Sequence, residues 1–330
     1  MPHIPVRYLH LATGTGIVSP TTGAETEIIF WGVPLSAFQI HNKRYHPLEK
    51  VIEAARRCET AGAEIIGLGA HTAVIGDQGI SVARAVRAGV TTGNSLTAGT
   101  AAESILYAAG LMGYEPKECT AAVIGAGGSI GRVLARLLDG KVRELLLSGR
   151  STSSLSLLNT REKIRMKECK IVETAEAIRQ AQLIATVTSS VNALEIIPTD
   201  FLPGAVVCDV ARPRNIAEET TRVRDDLLVF AGPTLTIPGK HAALGLDIGF
   251  PPGETYPCMA ETLTLALESW TDDYSLGRYL RMEQVEEIVG LAKQHGFHNA
   301  GLRNNDTAIT PEQIAGVKER AEARRKKGGP

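Results

Sequence analysis

The feature that most constrains the fold of this chain is a glycine-rich turn between an apolar strand and a helix. The segment VIGAGGSIG places Gly125, Gly128 and Gly131 at the spacing G-x-x-G-x-x-G, and an amphipathic helix follows. Glycines let such a turn approach a pyrophosphate, and the helix start offers N–H groups and the positive end of its dipole. We predict a dinucleotide site at these glycines, with Ser129 and Ile130 in the first helical turn. The alternative is a glycine turn needed only for packing.

The segment around this turn alternates apolar strands with helices. The strand-like runs include TAAVIG, ELLLSGR, CKIVE, LIATVTSS, AVVCDV and LLVFAG. Continuous apolar strands between helices indicate a parallel sheet that is covered on both faces. We therefore predict an α/β protein with a doubly wound parallel-sheet (Rossmann) NADP-binding domain at 116–233. A smaller α/β substrate domain is predicted from 1–115, completed by an active-site loop and C-terminal helices in 234–330, with the active site in the cleft between the domains.

The end of the second sheet strand indicates which cofactor is preferred. Enzymes that use NAD usually place a carboxylate there to hold the ribose 2′-hydroxyl. This chain instead has Ser148, Arg150 and Ser151, with no carboxylate to repel a 2′-phosphate and a guanidinium to pair with it. These three residues predict a preference for NADPH. The alternative for Arg150 is a solvated loop charge.

Cys258 differs from the other four cysteines in its position at the start of a helix. It follows Pro257 and opens the helical segment CMAETLTLALESW. Proline suits the first helical position, so the thiol lies in the first turn, where the dipole favours a thiolate. Cys258 is therefore a candidate nucleophile, and the alternative is a small apolar residue at a helix start.

Several motifs together resemble the cyanobacterial long-chain fatty acyl-(acyl-carrier-protein) reductases. GLGAHTAVI, TTGNSLTA, VIGAGGSIGR, CMAE and ESWTDDYSLGR occur in the order and spacing of that family, over about residues 15–300. The resemblance implies NADPH-dependent reduction of acyl-carrier-protein or CoA thioesters to fatty aldehydes, with Cys258 as the catalytic cysteine. Compared with that family, we expect the chain to lack an N-terminal extension and to have a shorter segment between the last sheet strand and Cys258. Long-chain preference is thus a weaker expectation than thioester reduction.

The chemistry of thioester reduction needs further groups beside the thiol. Each tetrahedral oxyanion requires hydrogen-bond donors, and the candidates are the N–H groups of the Cys258 helix and the side chains of Thr92, Asn94 and Ser189. A capping role is the alternative for Thr92 and Asn94, and an ordinary turn is the alternative for Ser189. Glu261 either orients a proton donor, binds a partner or is a surface carboxylate.

Two other functions compete with this interpretation. A shikimate/quinate-type NADP-dependent dehydrogenase has a similar layout, but it needs a lysine base in its N-terminal domain. The chain has no lysine between Lys50 and Lys117. The second competitor is a non-catalytic NADP-sensing or carrier-binding protein, which would bind NADPH without forming an acyl adduct on Cys258.

Composition sets limits on partners and location. The net charge of −1 and the 5% aromatic content argue against nucleic-acid binding. The five cysteines never form CxxC, which favours a reducing compartment over a disulfide framework or a zinc site, and no metal site is predicted. We expect a cytoplasmic enzyme without stable membrane insertion. Its partners would be an acyl-carrier-protein or CoA thioester and an aldehyde-consuming enzyme.

Overall fold

The computed structural model describes residues 9–40, 42–149, 169–188, 196–211, 216, 218–304 and 307–328. Their contacts divide the chain into two compact units of nearly equal size. Unit 1 comprises 1–97 and 235–300, and unit 2 comprises 98–234 and 301–330.

The helices and strands are named in chain order. The first part of the chain forms β1 (Leu9–Val18), β2 (Glu25–Gly32), α1 (Ala37–Ile40), α2 (Pro47–Thr60), β3 (Ile65–Gly67), α3 (Ile80–Ala83), β4 (Gly89–Thr91) and α4 (Asn94–Leu111). The middle forms β5 (Thr120–Ile124), α5 (Ser129–Leu138), β6 (Glu144–Ser148), β7 (Cys169–Ile171), α6 (Thr174–Gln180), β8 (Leu183–Thr186), β9 (Val206–Asp209), α7 (Glu218–Val223) and β10 (Leu228–Phe230). The last part forms β11 (Leu235–Thr236), β12 (Glu254–Thr255), α8 (Pro257–Leu267), α9 (Met282–Gln294), β13 (Arg303–Asn304), β14 (Thr307–Ala308) and α10 (Pro311–Lys326).

Unit 2 is built on a six-stranded parallel sheet with the order β10-β9-β8-β5-β6-β7. Alternate residues of its central strands face two separate cores. Val123 and Leu145 pack in the core that includes α4 and α5, whereas Ile124 and Leu146 pack in the core that includes α6. Helices therefore cover both faces, which is why the strands are apolar throughout. The predicted doubly wound Rossmann architecture is confirmed.

Unit 1 has short sheets and two apolar cores. β1 and β2 form an antiparallel hairpin, and β3 and β4 form a parallel pair. Helix α8 lies against β3 at Gly67, where a Cβ atom would come within 2.2 Å of the Thr262 hydroxyl oxygen, so only glycine permits this approach. One core contains Leu263 of α8, and the other contains Val51 of α2.

The limits of the two units differ from the predicted domain limits in two segments. The segment 98–111 of α4 belongs to unit 2, because Ala101, Ile105 and Ala108 pack in its core. The C-terminal residues 301–330 also belong to unit 2, although they were predicted to complete the substrate domain.

The C-terminal helix α10 is held in unit 2 by apolar and polar contacts. Ile314 and Val317 are buried in its core, and Arg325 donates hydrogen bonds to the Tyr114 hydroxyl and the Pro203 carbonyl. Neither contact has a local signal in the sequence.

Within the described ranges, no helix combines the length and apolar content that crossing a bilayer requires.

Candidate functional site

The glycine turn of unit 2 has the shape that a pyrophosphate needs. Gly125 has φ +94°, and a Cβ atom at Gly131 would lie 2.3 Å from the Gly125 carbonyl oxygen. Beside Gly128 the space is open, because the nearest atom to a Cβ there would be the Gly125 oxygen at 3.4 Å. The turn therefore keeps an open cradle directly before α5, a ten-residue helix whose N-cap supplies no side-chain hydrogen bond. These residues fit a dinucleotide phosphate group.

The turn lies at the point where the strand order of the sheet reverses. β5 is hydrogen-bonded to β6 on one side and to β8 on the other, with Ile124 opposite Thr186. The backbone of Val187 and Thr188, just after β8, lies about 3 Å from the position of a Gly125 Cβ. Ligands of doubly wound sheets bind beyond the carboxyl ends of the strands at this reversal. The topology and the glycine turn thus point to the same site.

The other predicted cofactor residues differ in what the structure describes. Ser129 and Ile130 occupy the first turn of α5, as predicted. Ser148 is buried at the end of β6, where its hydroxyl hydrogen-bonds that of Thr174 at 2.8 Å, and its carbonyl accepts from the N–H groups of Gly125 and Ala126. Its main contact with the turn is therefore through the backbone. Arg150, Ser151 and Ser189 lie outside the described residues.

Cys258 is the second residue of α8 in unit 1. Pro257 occupies the first helical position, and the N–H groups of Met259 and Ala260 both donate to the Tyr256 carbonyl. The thiol is half-buried. Gly93 packs directly on it, because a Cβ atom at Gly93 would lie 2.3 Å from both the Cα and the Cβ of Cys258.

The predicted oxyanion donors Thr92 and Asn94 lie in the turn that contacts Cys258. Thr92 is buried and its hydroxyl donates to the Ser275 carbonyl at 2.5 Å, which favours a structural role in this geometry. Asn94 is the first residue of α4 and is also largely buried. The segment from the last residue of β4 into the first helical turn of α4, which we call the turn Thr91–Leu96, is thus placed beside the thiol.

Glu261 is not a surface residue. Its side chain is fully buried, and this burial raises the pKa of its carboxyl group, outweighing the hydrogen bonds with Ser275, Thr91, Leu96 and Gly93 that act to lower it. The surface-carboxylate alternative is therefore wrong. The sequence gives no signal for this burial, because Thr91 and Leu96 are 170 and 165 positions away.

A cavity of about 720 Å³ in unit 1 includes Cys258 in its wall. This volume lies within the ~300–1,000 Å³ range of ligand pockets in proteins. Side chains of β2, α2, β3 and α8 supply an apolar wall: Ile28, Phe30, Val51, Ala55, Cys58, Ile66, Met259 and Leu263. His71 and Thr72, from the segment GLGAHTAVI, line the same cavity. The structure thus brings two motifs distant in sequence to one space.

His295, which directly follows α9, has a structural role. His295 is fully buried, with Nδ1 at 2.8 Å from the Ser19 hydroxyl and Nε2 at 2.5 Å from a Glu268 carboxylate oxygen. In the part of the chain that the structure describes, no cluster of three or more His, Cys, Asp or Glu residues is arranged to hold a metal ion.

The sequence profile of the shikimate / quinate 5-dehydrogenase family matches residues 108–229, which lie within unit 2. The chain is 29% identical over 306 residues to aminotransferase PigE of Serratia sp. (strain ATCC 39006), covering 91% of this chain and 36% of PigE. It thus spans about a third of that relative's length. It is also 27% identical over 270 residues to the long-chain acyl-[acyl-carrier-protein] reductase of Synechococcus elongatus, covering 77% of this chain and 76% of the reductase.

Among solved structures, the L-tryptophan dehydrogenase of Nostoc punctiforme matches at a TM-score of 0.41 and 11% identity, covering 84% of this chain and 73% of that chain. Shikimate 5-dehydrogenase of Thermus thermophilus matches at a TM-score of 0.33 and 16% identity, covering 68% and 62%. The dehydrogenase profile, the strand order and the glycine turn all indicate a dinucleotide-binding sheet in unit 2.

Proposed function

We propose that this protein reduces an acyl thioester to an aldehyde with NADPH, through a covalent acyl group on Cys258. The observation that carries the proposal is the position of Cys258, in the first turn of α8 and in the wall of a cavity of about 720 Å³. The cavity lining combines the apolar side chains described above with polar residues that include Glu25, Glu27 and Glu64. An acyl chain would pack on the apolar side chains, with its thioester carbonyl at the thiol. The similarity to the Synechococcus reductase, over 77% of the chain, supports the same assignment.

The residues of unit 1 account for the covalent half of the reaction. The Cys258 sulfur attacks the thioester carbonyl carbon, the bond to the carrier sulfur breaks, and the carrier leaves as a thiol while the acyl group stays on Cys258. Gly125, Gly128 and Gly131 would hold NADPH, which when bound would supply the hydride that reduces the acyl group. The resulting thiohemiacetal on Cys258 releases the aldehyde and regenerates the thiol. His71, in the wall of the same cavity, provides an imidazole for the proton transfers.

The match to the dehydrogenase profile favours a second candidate, a shikimate/quinate-type dehydrogenase. That match is confined to residues 108–229 and includes neither Cys258 nor the cavity. The stretch between Lys50 and Lys117 also supplies no lysine as a base. The thioester reductase also uses Cys258 and the cavity of unit 1, and this is the ground on which we propose it.

The test is the mass of the protein after exposure to acyl-CoAs without NADPH. Wild-type protein should gain one acyl group on Cys258 and release aldehyde when NADPH is added. The Cys258→Ala variant should bind NADPH but form neither adduct nor aldehyde. An adduct that persists in this variant would disprove the covalent mechanism. Oxidation of shikimate or quinate with NADP⁺ would instead support the dehydrogenase, and NADPH binding with no adduct would support a sensing protein.

A further inference from the structure

Glu261 is a buried carboxylate one helical turn after Cys258, and the chemistry described above does not use it. Its oxygens accept hydrogen bonds from the Thr91 hydroxyl at 2.5 Å and the Leu96 N–H at 2.7 Å. The Gly93 N–H also donates to it, and the Ser275 side chain forms a further hydrogen bond with it. All four partners are neutral, and two of them are backbone N–H groups, which can only donate. These N–H groups favour the ionised form of Glu261, whereas burial acts against it and raises the pKa of the carboxyl group overall.

Three of these donors belong to the turn Thr91–Leu96. The same turn contacts Cys258, since Gly93 has φ +71° and leaves no room for a Cβ atom against the cysteine backbone. Glu261 and Cys258 are three residues apart on α8, which places their Cβ atoms about 5–6 Å apart on one helix face. The Glu261 carboxyl group therefore connects this turn to α8 by hydrogen bonds, close to the Cys258 thiol.

A second segment is joined to this turn through serine and threonine contacts. Ser275 donates from its hydroxyl to the Ser95 hydroxyl at 2.6 Å, and the Ser95 N–H donates back to Ser275 Oγ at 3.3 Å. The Thr92 hydroxyl donates to the Ser275 carbonyl. Glu261 therefore fixes two chain segments beside Cys258, and no described ion pair is involved.

We propose that Glu261 is a positioning residue for Cys258, holding the turn Thr91–Leu96 against the start of α8 so that the thiol keeps its orientation toward an acyl group in the cavity. This inference rests on the proposed thioester function only where acylation of Cys258 is measured, because alkylation of the thiol does not require that function. A purely structural carboxylate would affect stability and leave the reactivity of the folded thiol unchanged.

Two reactions of Cys258 separate these roles in the Glu261→Gln variant. The substitution removes a buried negative charge near the thiol, so alkylation by iodoacetamide should move to lower pH by about half a unit or more. Acylation by an acyl-CoA, which requires an oriented thiol, should slow by about tenfold or more. A thiol that ionises more readily but acylates more slowly is the signature of lost orientation.

Two further variants complete the test. Thr91→Val removes one tie to the turn but keeps the charge, so acylation should slow without a downward shift in the pH of alkylation. Glu268→Gln makes the same chemical change at the other end of α8, about 15 Å along the helix from Cys258, and should alter neither reaction. Thermal unfolding of each variant confirms that folded protein is compared.

The outcomes are distinguishable from failure of the proposed function. Wild-type rates of acylation and an unchanged alkylation profile in Glu261→Gln would overturn the positioning role. Equal shifts in Glu261→Gln and Glu268→Gln would also overturn it. If wild-type protein forms no acyl adduct, the thioester function fails, and the alkylation profiles still decide whether Glu261 controls the thiol.

Discussion

At the scale of single residues, the environment of each cysteine separates a reactive thiol from inert ones. Burial raises the pKa of Cys58 from 9.0 to about 11, despite a backbone hydrogen bond that lowers it. Burial, with a smaller contribution from Asp139, raises the pKa of Cys169 to about 11. Cys119 has a raised pKa from burial, and Cys208 is fully buried in β9. Cys258 alone among the five lies in the first turn of a helix.

This contrast predicts the order in which the cysteines are alkylated. With iodoacetamide at about pH 7.5, Cys258 should react first, because a thiol with a pKa near 11 is almost entirely protonated there. Peptide mapping by mass spectrometry gives the site and the extent of labelling. Labelling of Cys58 or Cys169 at the rate of Cys258 would contradict the prediction.

The same shifts have a consequence for stability at high pH. The folded-state pKa values of Cys58 and Cys169 lie above their unfolded value of 9.0. The stability that these protonated thiols contribute is therefore complete below about pH 9 and is lost as the pH rises toward 11. The unfolding temperature should fall over this range, and the fall should be smaller in a Cys58→Ala variant than in wild-type protein.

At the scale of secondary-structure elements, local sequence signals predicted where helices and strands lie in the chain, but they did not predict which side chains and helices are buried. Pro257 predicted the start of a helix with Cys258 in its first turn, and α8 begins at Pro257. The strand–turn–helix around Gly125 was also predicted, because glycine spacing and apolar runs are local properties. The burial of Glu261 and the packing of α10 in unit 2 were not, since both depend on partners more than 100 positions away. The cavity beside Cys258 is likewise a property of four elements together.

Helix α2 is expected to limit the length of the acyl chain. Ala55 is buried and forms part of the cavity wall, so Ala55→Leu would place extra carbon atoms in that space. Reduction of a palmitoyl thioester should fall by about tenfold, while reduction of an octanoyl thioester should change by less than about threefold. Steady-state kcat/KM for the two substrates is the measurement.

The matched control for this variant lies on the exposed side of the same helix. Arg57 is half-exposed, is not part of the cavity wall, and forms a surface ion pair with Glu53. Arg57→Leu adds the same side chain outside the cavity wall, and the loss of the ion pair with Glu53 lowers the free energy of unfolding by about 0.3–0.5 kcal/mol. It should leave both substrates unaffected. If Ala55→Leu lowered kcat/KM equally for the palmitoyl and octanoyl thioesters, α2 would not determine the preference for chain length.

At the scale of the whole molecule, the two units carry different parts of the proposed chemistry. Unit 2 contains the glycine turn and the strand-order reversal, and unit 1 contains Cys258, the cavity and Glu261. This division explains why the dehydrogenase profile matches only residues 108–229, whereas the two relatives match over 77% and 91% of the chain. A dinucleotide sheet serves many reactions, so the chemistry of this protein has to be argued from unit 1.

The last prediction concerns cofactor binding, read out from the stability of the entire chain. A ligand that binds only the folded state at about 100 times its Kd stabilises it by about 2.7 kcal/mol. NADPH should therefore raise the unfolding temperature by several degrees, and NADH should raise it by less. The reason is that the residues directly after β6 include no carboxylate, and Arg150 among them would pair with the 2′-phosphate.

Two variants test this prediction. Gly131→Ala should abolish both shifts, since its Cβ would lie 2.3 Å from the Gly125 carbonyl oxygen and distort the turn. Arg150→Glu should weaken NADPH and relatively favour NADH. Equal shifts with both cofactors in wild-type protein would refute the NADPH preference, and an undiminished NADPH shift in Gly131→Ala would show that the cofactor binds elsewhere.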